Sequence, residues 1–143
     1  MNKEFIPYEQ ALELKELGFI EHCIAYYTIV QDKLIFSYTA IYDSGDEYID
    51  LVSNGNPSNS KDFSAAPLYQ QAFRWFREKH TYQCYIQFMN NSYAYWIGIK
   101  SIDFYYHSFN STPRDMKIDS SWETYEEAEL ACLKKLIEIV KNK

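Results

Sequence analysis

Apolar and polar positions along the chain follow two rhythms, one of helical and one of strand period. The stretch "PYEQALELKELG", residues 7–18, has the helical one. Pro7 suits the first helical position, Glu9 lies near the positive end of the dipole, and Gly18 is a C-terminal stop. Its expected core side is Tyr8, Ala11, Leu12 and Leu14, with Glu9, Glu13 and Glu16 facing water. In "PLYQQAFRWFREKH", residues 67–80, Leu68, Tyr69, Ala72, Phe73, Trp75 and Phe76 gather on an arc of about 160° at helical spacing. Gln70, Gln71, Arg74, Arg77 and Glu78 fill the rest, so Trp75 belongs to the apolar face and is not clamped between the arginines. The third helix is "TYEEAELACLKKLIEIVK", residues 124–141. Thr124 and Glu127 have capping-box spacing, and Cys132, Leu133, Leu136, Ile137 and Val140 make a broad apolar stripe.

Between the helices the period shortens to two. "CIAYYTIVQDKLIFSYTAIYD" is rich in β-branched and aromatic residues and is broken at Gln31-Asp32-Lys33, which predicts a hairpin. "EYIDLV" is a further candidate strand, and "SNGNPSNSKD", residues 53–62, is an exposed loop. "TYQCYIQFMNNSYAYWIGIK" is the strongest hairpin. A two-residue Asn90-Asn91 turn sets Phe88 against Tyr93, Ile86 against Tyr95, Cys84 against Ile97 and Tyr82 against Ile99, all on one face. The opposite face carries Gln83, Gln87, Ala94 and Gly98, with Tyr85 and Trp96 among them. "SIDFYYHSF" is expected to continue the sheet, and "NSTPRD" to break it. The fold class is therefore α+β, an antiparallel sheet of about five or six strands with three helices packed mainly on one face. The order is roughly α-β-β-(β)-α-β-β-(β)-α.

A length of 143 residues suits one globular domain over 1–143, and 47% hydrophobic against 24% charged residues argues against disorder. Aromatic residues reach 18%, with 14 tyrosines, which agrees with substantial β structure. The net charge of −6 disfavours a phosphate backbone as partner. "MNKEFIPYEQ" has no apolar signal core, no apolar run approaches membrane-spanning length, and Cys23, Cys84 and Cys132 form no disulfide pattern. The expected location is the cytoplasm, without membrane attachment.

"FIPYEQALELKELGF", "APLYQQAFRWFREKH" and "TYEEAELACLKKLIEIVK" resemble the recurring blocks of a group of small uncharacterised proteins encoded by phages and mobile elements of gut bacteria. The similarity spans nearly the whole chain. It implies origin and genomic context rather than an activity, and it carries over no catalytic residues. The stretch Asp43 to Asp62 lies outside it.

Candidate chemistry is sparse. His22, His80, His107, Cys23 and Cys84 include no C-x-x-C and no closely spaced histidine pair, so no metal or other cofactor is expected. Adjacent His22 and Cys23 would point to opposite faces of an extended chain, and His80 at a helix end is favourable there without metal. A Cys84–His107 dyad is disfavoured because Cys84 lies on an apolar face. "DSGDE", residues 43–47, lacks the ligand spacing of a calcium loop. The best candidate is the Tyr85–Trp96 pair. If helices cover only one face, these rings are exposed and can anchor a protein or stack on bases. The competing reading has a third layer, formed by the 43–62 segment, folded over them. Arg74 and Arg77 are the nearest positive charges in sequence.

The expected function is accordingly a non-catalytic accessory protein of a phage or mobile element, binding a protein partner through Tyr85 and Trp96, with Arg74 and Arg77 as further candidate contacts. A single-stranded nucleic-acid binder using the same rings is the alternative. An enzyme of unfamiliar type stays in view because sites assembled from distant residues leave no local signature.

Overall fold

The computed structural model describes residues 2–28, 33–37, 39–41, 47–49, 51–55, 62–89, 91–99 and 122–143. Three α-helices and antiparallel strands are found among them, so the fold class is α+β. The strands form three separate sheets among the described residues, one of three strands and two of two. The chain divides into two compact units, 1–70 and 71–143, and each is taken by itself. No helix among the described residues is long and apolar enough to cross a membrane.

In the first unit, α1 spans Tyr8–Glu16. Pro7 sits one position earlier than its sequence placement, as the cap, at φ −63 and ψ 158. The far end closes as a Schellman motif: Gly18 donates to the Lys15 carbonyl at 3.1 Å and Phe19 to the Leu14 carbonyl at 2.9 Å. Gly18 has φ +88, a conformation that glycine adopts without steric cost. Phe19 and Leu14, which the motif brings together, are both fully buried. Ala11 and Leu14 face inward as expected, Tyr8 and Leu12 are half-buried, and Gln10 joins the core at 4% exposure. A glutamine there breaks the simple apolar rule, so helical periodicity alone did not mark it.

Strands β1 (Ala25–Thr28) and β2 (Leu34–Phe36) pair antiparallel as the expected hairpin requires, Ala25 with Phe36 and Tyr27 with Leu34, and the predicted break at Gln31 and Asp32 lies outside the described residues. The same run yields β3 (Thr39–Ile41), which pairs with β4 (Glu47–Ile49) from the "EYIDLV" segment. On the other side of β1 lies β5 (Phe63–Ala65), a strand that the sequence pattern did not predict. Its three residues, Phe-Ser-Ala, include no β-branched side chain, and hydrogen bonding to β1 rather than propensity makes it a strand. Lys15 of α1 reaches it, donating to the Phe63 carbonyl at 2.6 Å. The Tyr27 hydroxyl donates to the Ile6 carbonyl at 2.8 Å inside this core, and burial raises the phenol above its usual range. At the start of the predicted loop, Asn54 ties two segments: its amide donates to the Phe19 carbonyl at 3.0 Å and its oxygen accepts from the Ala65 N–H at 2.9 Å. Gly55 and Asp62 are exposed, and 56–61 lie outside the described residues.

The second unit takes in most of α2 (Tyr69–His80). Tyr69, Ala72, Trp75 and Phe76 are buried, Phe73 is half-buried, and Arg74, Arg77 and Glu78 are exposed, as the helical wheel requires. The helix ends at Thr81, whose φ of +64 is unusual for a β-branched residue.

Strands β6 (Tyr82–Met89) and β7 (Ser92–Ile99) then form the long hairpin in the expected register: Phe88 opposite Tyr93, Ile86 opposite Tyr95, Cys84 opposite Ile97 and Tyr82 opposite Ile99. Asn91 turns the chain with φ +63, which asparagine tolerates better than most residues. Helix α3 (Tyr125–Lys141) opens with the predicted capping box. Glu127 N–H donates to Thr124 Oγ1 at 3.2 Å, and Thr124 N–H donates to Glu127 Oε2 at 3.3 Å. Ala128, Cys132, Leu133, Leu136 and Ile137 are buried along one stripe, and Val140 is half-buried at its margin. Full burial of each of the larger aliphatic side chains contributes about 1.5–3 kcal/mol. Residues 101–121, including His107 and the segments expected to continue and then break the sheet, lie outside the described residues.

Candidate binding surface

Because side chains alternate along a strand, the β6–β7 hairpin has two faces of different chemistry. One is covered by α3. Tyr93 meets Tyr125 edge-on with ring centroids 6.0 Å apart, and Tyr95 meets Trp122 at 5.1 Å. Trp122 also exchanges both backbone hydrogen bonds with Tyr93, at 2.9 and 3.0 Å, which anchors the start of the helix to the strand. At the other end, the Lys143 ammonium stands 4.5 Å above the Tyr82 ring. The helix therefore runs the length of the hairpin, and Tyr82 and Ile97 beneath it are buried.

The cover is uneven. Helix α3 lies more along β7 than along β6, and Phe88 at the tip of β6 is 61% exposed although it shares a face with the core residues. It packs on Tyr93 at 5.0 Å, with Tyr125 next in line and 46% exposed. The sequence pattern put Phe88 among the residues of the inner face. Strand alternation gives the face correctly, but the lateral placement of the helix decides its exposure. Nothing in the sequence marks Tyr125 as a surface aromatic, because it sits at a helix start, where the capping residues dominate the local pattern.

The opposite face carries the predicted pair. Tyr85 and Trp96 are directly opposed across the strands, with centroids 6.1 Å apart and planes 16° from parallel. Tyr85 is 46% exposed, and Trp96 is half-buried. The indole Nε1–H of Trp96 is buried and meets no acceptor among the described residues. Gln83 and Gln87 on the same face are exposed. Arg74 and Arg77 are placed elsewhere, on the exposed strip of α2. The structure thus brings Tyr85 and Trp96 together as one stack and sets the two arginines on a different element.

The other candidate groups have different fates. Cys23 is buried and its thiol is pushed up to about 12, by burial first and by nearby Glu21 second, while His22 beside it is exposed. His80 ends α2 as expected, but its environment does not favour the charged imidazolium. Burial lowers its pKa, helped by the positive charges of Lys143 and Lys79, and its Nε2 is buried without a hydrogen bond among the described residues. Desolvation and two lysines outweigh the helix dipole there. Among the described residues no group of three His, Cys, Asp or Glu side chains is disposed to hold a metal ion.

On the buried stripe of α3, the nearness of Cys84 and burial raise the Cys132 thiol above its usual range. One turn earlier on the helix, Glu129 is pushed up to about 7, by desolvation and then by the charge of Glu126. Both cysteines are legible in the sequence as members of apolar faces.

No family model, curated protein or solved structure matches the chain.

Proposed function

We propose that this chain is a non-catalytic accessory protein, encoded by a phage or mobile element, that binds a protein partner through the Tyr85–Trp96 face of the β6–β7 hairpin. The observation that carries this reading is the stacked ring pair with Tyr85 nearly half exposed on the β6–β7 hairpin. Tyrosine and tryptophan give large contact area for little loss of side-chain freedom, which is why they dominate binding hot spots. The exposed glutamines beside them supply amide donors and acceptors for a polar rim.

The test is affinity capture from the carrier or infected cell with the wild-type chain and with Trp96→Ala, monitored by circular dichroism. Loss of a specific co-purifying protein with an unchanged spectrum supports the reading. Equal capture by both, or unfolding of the variant, removes it. The stacked planar rings also suit a single-stranded nucleic acid, since bases stack on such platforms without sequence preference. The net charge of −6 weighs against that alternative. Titration of tryptophan fluorescence with oligonucleotides at low salt separates the two, because the protein-binding reading expects no quenching.

A further inference from the structure

Helix α2 passes into strand β6 through a single residue. The helix ends at His80, the strand starts at Tyr82, and Thr81 between them has φ +64. A β-branched residue is an outlier in that region and stays there only where its surroundings hold it. The surroundings of this joint are aromatic. The His80 imidazole meets the Trp75 indole edge-on with ring centroids 4.7 Å apart, and the Phe76 ring lies at 5.9 Å. Trp75 and Phe76 are buried and pack on each other at 5.0 Å. Beyond Thr81 the Tyr82 ring is buried, with the Lys143 ammonium 4.5 Å from its centre. The Thr81 hydroxyl donates to the His80 carbonyl at 2.6 Å.

In this seat the imidazole is poorly placed to carry a proton. The residue is half-buried, so solvent reaches it, yet Nε2 is buried and meets no partner among the described residues. A neutral imidazole leaves one ring nitrogen bare, whereas the imidazolium carries an N–H on both. Protonation therefore sets a charge and an unmet donor beside the Trp75 and Phe76 rings. The charges that bear on His80 are both positive, Lys79 on its own helix and Lys143 after the end of α3, and burial outweighs either of them in disfavouring the imidazolium. Strand β6 adds the Tyr82 ring and no charge at this point.

We propose that His80 is a proton-operated latch on the joint between α2 and β6. Neutral, its ring packs beside Trp75 and Phe76, holds the last turn of α2 in place and keeps Thr81 in its strained conformation. Protonated, the ring leaves this seat for water, the last turn of α2 frays and Thr81 relaxes. A histidine that binds its proton more weakly in the folded than in the unfolded chain contributes stability that is fully present above the ordinary 6.5. That contribution is lost as pH falls through the folded value. All parts of the latch lie in the second unit.

The test takes the full-length chain from about pH 8 to about pH 5, the range over which imidazoles change charge. Imidazole protons are followed by NMR, and backbone hydrogen exchange by mass spectrometry, with protection expressed relative to an unstructured chain at each pH. The expected result is an imidazole signal with cross-peaks to an indole ring that titrates below 6.5. Protection around the α2–β6 joint should be lost as that signal titrates, while protection in α1 is kept. His80→Phe, which leaves a ring in the seat but takes up no proton, should keep the joint protected throughout. Titration of His80 at or above 6.5 would overturn the proposal, since it would mean that the imidazolium is stabilised against the indole. Equal loss of protection in the wild type and in His80→Phe would overturn it as well. The wild-type titration keeps the test decisive should His80→Phe fold poorly.

Discussion

The two faces of the β6–β7 hairpin are built from the same two strands in the same register, yet one lies under a helix and the other holds a ring that is nearly half exposed. On the covered side Ile97 and Tyr82 lie under a 17-residue helix. On the open side Tyr85, a residue as large as any of these, is 46% exposed beside half-buried Trp96. Composition does not explain the difference, since both faces are aromatic. The difference comes from what each face meets. Helix α3 offers a continuous aliphatic stripe to one side, and the other presents rings, glutamines and small residues. A strand pattern therefore assigns residues to faces, while a packing partner assigns a face to the interior.

The sharpest way to break the comparison is to remove the cover. Leu136→Ala deletes a fully buried side chain from the α3 stripe and should cost about 3 kcal/mol, read as a fall in the urea midpoint at constant slope. A loss below about 1 kcal/mol would mean that α3 is not the main cover of this face.

A smaller effect, and one that depends on pH, is expected at Glu129. Its folded-state pKa, about 7, lies above the ordinary 4.5. The raised value means that its contribution is fully present below about 4.5 and is lost as pH rises through about 7, since the unfolded chain ionises first. Glu129→Gln should therefore leave the melting temperature at pH 4 unchanged and raise it at pH 8. Partial exposure of the carboxylate limits the size of the shift. Equal melting temperatures for the two proteins at pH 8 would show that the carboxylate is better solvated than its position on α3 implies.

The smallest change is expected on the open face. Tyr85→Ser removes a ring that is nearly half exposed and should alter stability by no more than about 0.5 kcal/mol. A loss comparable to that of Leu136→Ala would place Tyr85 in the interior and dissolve the contrast between the faces.

Much of the architecture could be read locally. The register of the long hairpin followed from a two-residue Asn-Asn turn and strict alternation, because a slip by one residue would exchange the two faces wholesale. The capping box at Thr124 and Glu127 and the stop at Gly18 were legible for a similar reason: each is settled within a few residues of backbone. The Tyr85–Trp96 stack was legible as a pairing for the same cause.

Other features needed partners distant in sequence. Strand β5 exists because Phe63–Ala65 meets β1, and nothing in Phe-Ser-Ala announces it. The division of strands among three sheets depends on which backbone edges meet, and side-chain periodicity carries no record of that. Phe88 looked identical in pattern to Ile97, and only the sideways position of α3 separates them. His80 was placed correctly at its helix end, but its burial and the nearness of Lys143 decide that its neutral form is favoured.

Sequence by itself determined which residues share a face, the capping box of α3 and the stop of α1, and how β6 and β7 pair. All of these are short-range consequences of backbone geometry and side-chain period. Tertiary structure alone decided which face is covered and which aromatic rings reach solvent, because burial and contact belong to pairs of elements and not to either one.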